Sequence, residues 1–141
     1  MLKVLIAEDE AMIAMLTEEI LVEHGYEVCG IASTVAEAVA LAKSRKPDLA
    51  VIDLRLAAGG LGTEIVAQLG EMENLGVLYT TGASQIILTT TNGHARLAKP
   101  YQDTELVRSL EIVTELLSSG IASPPFPHGF QLLPVATTPG P

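Results

Sequence analysis

The sequence predicts an α/β fold: a doubly wound, five-stranded parallel sheet with helices on both faces. Three observations lead there. Short apolar runs alternate with longer stretches of helical periodicity over residues 1–119, and turn or capping residues punctuate the junctions. Several of the runs are apolar at consecutive rather than alternate positions, as strands covered on both faces are. Strands that alternate with helices pair in parallel, because right-handed crossovers leave little else.

Each element follows in order. Val4-Leu5-Ile6-Ala7 is the first strand; Ile13, Leu16, Ile20 and Leu21 then recur at helical spacing over Ala11 to His24 until Gly25 stops the helix. Tyr26 to Ala32 reads as the second strand. Thr34-Val35-Ala36-Glu37 is a capping box opening a helix that runs through Arg45 and is closed by Pro47. Leu49 to Asp53, LAVID, is a central strand. The turn Gly59-Gly60-Leu61-Gly62 leads into a helix over Thr63 to Glu71, with Ile65, Val66 and Leu69 on one face. Gly76 to Thr81 is the fourth strand, Ala95 to Ala98 a short fifth, and Thr104 to Ser118 a last amphipathic helix carrying Leu106, Val107, Leu110, Val113, Leu116 and Leu117. Ser84 to Gly93 holds the place of a fourth helix, but Thr89-Thr90-Thr91-Asn92-Gly93 form helix poorly, so a short or frayed element is expected.

From Ile121 onward there is no charged residue, six of the eight prolines and both phenylalanines. That composition builds no further strand–helix unit. Residues 120–141 are expected to be a Pro-rich C-terminal tail or linker, either disordered or docked through Phe126 and Phe130 on an apolar patch.

Eight basic against seventeen acidic residues give a net charge of −9, which argues against direct binding of nucleic acid or an anionic membrane and for metal ions or basic partners. No apolar stretch approaches the roughly 20 residues of a membrane span, and no basic segment with a cleavage site precedes the first strand, so a cytoplasmic location is expected. Cys29 lies in an apolar run and reads as a small core residue. His24, His94 and His128 are scattered and read as ordinary surface or helix-end residues.

In sheets of this type the site lies beyond the carboxyl ends of the strands. There the sequence places Glu8 and Asp9 after the first strand, Asp53 at the end of the third, Thr81 at the end of the fourth and Lys99, followed by Pro100, after the fifth. Three carboxylates in close reach raise at least one pKa unless a hard divalent cation sits among them, and Mg²⁺ suits such a set. Asp53, flanked by Ile52 and Leu54, is the best-fixed carboxylate and the candidate nucleophile toward a phosphoryl group, with the charge offset by Mg²⁺ and the Lys99 ammonium and with Thr81 as hydroxyl donor. Glu10 reads instead as an acid at the start of the first helix. Gly59 to Gly62 lacks the Lys and Ser/Thr of a phosphate-binding P-loop and reads as a turn.

Glu8-Asp9, Asp53, Thr81-Gly82 and Lys99-Pro100, in this order and spacing, resemble the receiver domain of two-component response regulators over residues 1 to about 119. The resemblance implies a flavodoxin-like sheet of order 2-1-3-4-5 and a stand-alone receiver at 1–119. It implies that Asp53 takes a phosphoryl group from a sensor histidine kinase or histidine phosphotransfer protein. Asp9 would contact Mg²⁺ directly and Glu8 through water, with Asp53 and the backbone carbonyl of Arg55 completing the ligands. Lys99 would pair with the phosphoryl oxygens. Thr81 would act as the switch hydroxyl, biasing a surface of the fourth helix, fifth strand and last helix toward a downstream protein partner, a homodimer being one such assembly.

The chain departs from the family pattern at three places. Arg96 stands where most receivers carry an aromatic switch residue. The loop after Asp53 is glycine-rich and lacks the common proline. Tyr79-Thr80-Thr81-Gly82 resembles an atypical subgroup named for a Phe-Ala-Thr-Gly-type motif. The expected function is therefore that of a phosphoprotein in phosphorelay signalling, with no enzyme activity beyond its own phosphorylation and dephosphorylation. The alternatives are a Mg²⁺-dependent phosphatase with an Asp nucleophile, whose second acid two residues on is here Arg55, and a receiver-like binding module that works without phosphate.

Overall fold

The computed structural model describes residues 1–70, 74–82 and 93–133. The chain runs β1 (Lys3–Ala7), α1 (Ala11–Glu23), β2 (Glu27–Ala32), α2 (Val35–Arg45), β3 (Leu49–Asp53), a 3₁₀ turn (Ala57–Gly59), α3 (Gly62–Leu69), β4 (Gly76–Thr81), β5 (Ala95–Ala98), α4 (Asp103–Ser119) and β6 (Phe130–Leu132). The expected fourth helix over Ser84 to Gly93 lies outside the described residues but for Gly93, so the α4 named here is the last helix of the sequence reading.

The sheet order is β2-β1-β3-β4-β5-β6, with the first five strands parallel in the expected 2-1-3-4-5 arrangement. The sixth strand differs from the sequence reading. Phe130, Gln131 and Leu132, placed there in a tail, pair antiparallel with β5. A three-residue edge strand leaves almost no periodic signal, and its register comes from a neighbour distant in sequence rather than from local pattern. Phe130 packs against the core, while Phe126 stays 47% exposed and stacks on the Phe130 ring at 5.9 Å and 8°.

Alternation within the strands divides the core. Leu5, Ala7, Ala50, Ile52, Val77 and Tyr79 face α2 and α3, meeting Ala38, Val39, Ala42 and Ile65. Val4, Ile6, Leu49, Val51, Leu78 and Leu97 face α1 and α4, meeting Ala14, Leu21, Leu106, Leu110 and Val113. Each fully buried Leu or Ile contributes roughly 1.5–3 kcal/mol, and the continuous apolar runs of β1, β3 and β4 reflect coverage on both faces. The α2 cap forms as its sequence indicates: Glu37 N–H donates to Thr34 Oγ1 at 3.2 Å, and the Glu37 carboxylate accepts from Ser33 Oγ at 2.7 Å. Cys29 is half-buried and packs against the core, with burial pushing its thiol pKa up. Among the described residues no helix is long and apolar enough to cross a membrane.

Parallel register brings the strand ends to one level: Ala7 pairs with Ile52, Asp53 with Thr80 and Thr81 with Ala98. The polar residues that follow therefore share one rim.

His94 is not the surface residue its sequence context suggests. Its Nδ1 accepts from Val77 N–H at 3.0 Å, its carbonyl accepts from Leu133 N–H at 3.0 Å, and burial holds its pKa below the ordinary 6.5. As pH falls below 6.5 the unfolded chain takes up a proton that the folded chain refuses, so stability drops until the folded-state value is passed. Urea titrations between about pH 7.5 and 5 should show this loss, and His94→Gln should reduce its size; an identical loss in the variant would remove His94 as its source.

Candidate functional site

Five chain segments build the rim. Glu8 prolongs β1, its N–H donating to Ala32 O at 2.9 Å, and that bond draws the carboxylate in until the residue is only 5% exposed. Asp9 follows and is exposed. Glu10 turns to the helix: it is the residue before α1, its carbonyl accepts from Ala14 N–H at 3.0 Å, and its side chain makes no capping bond. It serves the helix start through its backbone rather than its acid.

Asp53 is fixed from behind. The next residue, Leu54, donates its N–H to Thr80 O at 3.0 Å and accepts from Gly62 N–H at 2.9 Å, so the chain leaving β3 is pinned between β4 and the start of α3. Gly62 lies so close that a Cβ there would strike the Asp53 carbonyl and the Ile52 side chain. The glycine-rich turn, read from sequence as conformational freedom, thus carries one position demanded by close approach to Asp53. Nothing in the sequence singles Gly62 out from its neighbours Gly59 and Gly60.

Lys99 closes the arrangement. Its Nζ donates to Glu8 Oε1 at 2.8 Å and to Asp53 Oδ2 at 2.9 Å, while Asp53 Oδ1 accepts from Arg55 N–H at 3.1 Å and Glu8 Oε2 from Glu10 N–H at 3.2 Å. Burial alone would lower the Lys99 pKa, but hydrogen bonds and charge from two carboxylates outweigh it and the pKa lies above the ordinary 10.5. Glu8 has the opposite balance. Burial raises its pKa above 4.5, and the single Lys99 contact, set against repulsion from Asp53, does not restore it. The ammonium has two partners, whereas the buried acid shares its one cation.

Glu8, Asp9 and Asp53 each offer a carboxylate oxygen within 4.8 Å of the others. Three carboxylates against one ammonium leave two negative charges beside a dry strand end, and hard oxygen donors of that number fit a divalent cation such as Mg²⁺. Thr81 is 5% exposed, and its carbonyl accepts from Lys99 N–H at 2.8 Å, which ties the ends of β4 and β5 together. Arg55 lies at the rim with its N–H on Asp53. Arg96 stands apart on β5, where its Nε donates to Gln131 Oε1 of β6 at 2.9 Å; that partner was invisible without the sixth strand. Beside the rim, Lys99, Gly82, Pro100 and Tyr101 line one side of a groove of about 720 Å³ whose other wall is α1, with Ile13, Leu16 and Ile20.

Comparison with known proteins agrees with this geometry. The family model described as the response regulator receiver domain matches residues 4–111. The chain is 34% identical over 114 residues to the transcriptional regulatory protein PdtaR of Mycobacterium tuberculosis, covering 78% of this chain and 55% of that protein. It is 35% identical over 103 residues to the phyllosphere-induced regulator PhyR of Methylorubrum extorquens, covering 71% of this chain and 39% of that one. The chain thus spans about half the length of these relatives or less. Among solved structures, the signal receiver domain of a modulated diguanylate cyclase from Desulfovibrio desulfuricans G20 superposes with a TM-score of 0.72 at 30% identity, over 86% of this chain and 99% of that one.

A raised carboxyl pKa means that the folded chain binds the Glu8 proton more tightly than the unfolded chain. Metal-free stability therefore falls as pH rises from 4.5 through the folded-state value, and the cost is complete once the pH has passed that value. Glu8→Gln keeps an acceptor for Lys99 and removes that charge. Its melting temperature in chelator should equal or exceed that of the parent, and the rise on adding Mg²⁺ should shrink; a lower melting temperature in chelator would contradict this account of the rim.

Proposed function

The chain belongs to the response regulator receiver domain family, and on that premise we propose that it accepts a phosphoryl group on Asp53 from a phosphohistidine donor and signals by binding a protein partner. The observation that carries the reading is the Asp53 carboxylate: seated at the end of a strand buried on both faces, hydrogen-bonded to Lys99 and to Arg55 N–H, and grouped with Glu8 and Asp9.

In the transfer, an Asp53 carboxylate oxygen attacks phosphorus, the new P–O bond forms as the P–N bond to the donor imidazole breaks, and the imidazole leaves to be protonated. Arg55 N–H and the Lys99 ammonium hold the carboxylate while its charge is still its own. As charge passes to the phosphoryl oxygens, Lys99 is the mobile cation within reach, and Glu8 keeps it at the rim in both states. Mg²⁺, held by Asp9, Asp53, the Arg55 carbonyl and Glu8 through water, would supply the remaining charge neutralisation for the phosphoryl oxygens. Thr81 is the hydroxyl at the rim suited to a phosphoryl oxygen. Because its carbonyl is bonded to Lys99 N–H, movement of either residue is shared by β4 and β5.

The donor is a protein that docks on α1, a sensor histidine kinase or a histidine phosphotransfer protein. Met12, Met15 and Leu16 expose 76%, 60% and 54% of their surface on the helix that walls the groove opening onto Lys99, and flexible, polarizable methionines suit helix-on-helix docking. A chain of net charge −9 acts through proteins rather than nucleic acid, and in the cytoplasm where such donors work. It turns over no substrate beyond its own phosphoryl group.

Acetyl phosphate with Mg²⁺ should add about 80 Da to the intact mass, and Asp53→Asn should lose the adduct. Absence of the adduct in the parent chain would sink the reading, and sustained hydrolysis of phosphate monoesters would favour a phosphatase instead. Met15→Glu should slow phosphorylation by a phosphorylated histidine phosphotransfer protein at least about tenfold while leaving the acetyl phosphate rate unchanged; equal slowing of both would remove α1 as the docking helix.

A further inference from the structure

The segment after α4 is tied to the body by contacts that the phosphoacceptor chemistry does not use. It carries no charge of its own. Arg108 of α4 clasps it from below, donating from Nε to Pro125 O at 3.0 Å and from Nη2 to Ser123 O at 2.6 Å. The Glu115 carboxylate accepts from Ser123 N–H at 3.1 Å and from Ser123 Oγ at 2.9 Å. Beyond the clasp the chain reaches the sheet edge, where Ala98 N–H donates to Gly129 O and Leu133 N–H to His94 O, both at 3.0 Å. Phe130 rests on the core face shared with α4, and Leu133 enters the opposite face.

We propose that Ser123–Leu133 is an intramolecular strap over a strand-receiving edge, and that on release from Arg108 this edge takes an extended segment of a protein partner bearing an aromatic residue in the place of Phe130 and a carboxylate opposite Arg96. Three features specify that occupant. The β5 edge offers backbone groups in strand register, which any extended chain can satisfy. The seat of Phe130 is apolar and already shaped for a ring. Arg96 donates to the Gln131 amide, a neutral acceptor that a carboxylate surpasses because charge-assisted bonds are stronger, whereas Arg108 is already paired with the Glu111 and Glu115 carboxylates and serves to hold the strap. The strap is suited to leave: its strand has three paired residues, and the clasp is a set of largely exposed polar bonds that cost little to break.

The closed strap lowers apparent affinity by the fraction of time the edge is open. A fluorescent peptide of residues 123–133 carrying Gln131→Glu, titrated into the full chain and read by polarization, should bind the parent weakly. It should bind the Arg108→Ala chain about tenfold more tightly. Gln131→Pro in the full chain loosens the strap from its other end and should give the same tightening. The Glu-bearing peptide should exceed the unmodified one, Arg96→Ala should erase that difference, and a peptide with Phe130→Ser should fail to bind. Unchanged affinity in both strap variants, or equal binding of the Phe130→Ser peptide, would overturn the proposal.

Discussion

The position of the Lys99 ammonium between Glu8 and Asp53 is the interaction on which the rim depends. These two acids end the adjacent strands β1 and β3, and parallel register forces them to one level. Left alone they would repel across a strand end that offers little water. The cation comes from far along the chain, after β5, and reaches both at under 3 Å. Its preference for them is unequal: Lys99 gains from two carboxylates, whereas Glu8 remains short of compensation. That residual imbalance suits a divalent cation at the rim and, on the function proposed above, phosphoryl oxygens beyond it.

Much of this is legible in the sequence, because the determinants are local. Consecutive apolar residues at Val4-Leu5-Ile6-Ala7 and LAVID state that both faces are covered, and the Thr34–Glu37 box states where a helix begins. Once the strands are known to be parallel, Glu8, Asp9, Asp53, Thr81 and Lys99 fall on one rim by topology alone. What escaped the reading depends on tertiary partners. His94 looks like any polar residue before a strand, and only the bond from Val77 N–H gives it an interior role. Gly62 looks like a turn residue until Asp53 lies against it. Phe130 to Leu132 lacks the length to show alternation, and the prolines and missing charges around it spoke for a tail. Arg96 looked like a departure from a pattern until Gln131 supplied its partner.

The last parallel strand joins functions that the sequence lists separately. Its end delivers Lys99 to the acids and bonds to the Thr81 carbonyl, its middle carries Arg96, and its outer edge receives β6. β5 has β4 on one side and a strand of three paired residues on the other, while β3, which carries Asp53, lies between β1 and β4 and is covered on both faces. If Asp53 takes the phosphoryl group as proposed, the event is anchored on an enclosed central strand and passed through the Thr81–Lys99 backbone bond to the strand beside the short β6 edge.

The antiparallel pairing of β6 has a consequence for the chain in solution. Without it the sheet would end in β5, whose Ala95 and Leu97 are fully buried and whose open backbone would invite a like edge from another molecule. In its place stands a strand of three residues with a glutamine at its centre, entered from a glycine turn at Gly129 and a proline-rich approach, too short to template further growth. A proteolytic nick between Gly120 and Phe130 would leave the core and the rim acids covalently intact, yet it would free a sticky margin, turning the loss of one strand of three paired residues into a tendency to self-associate.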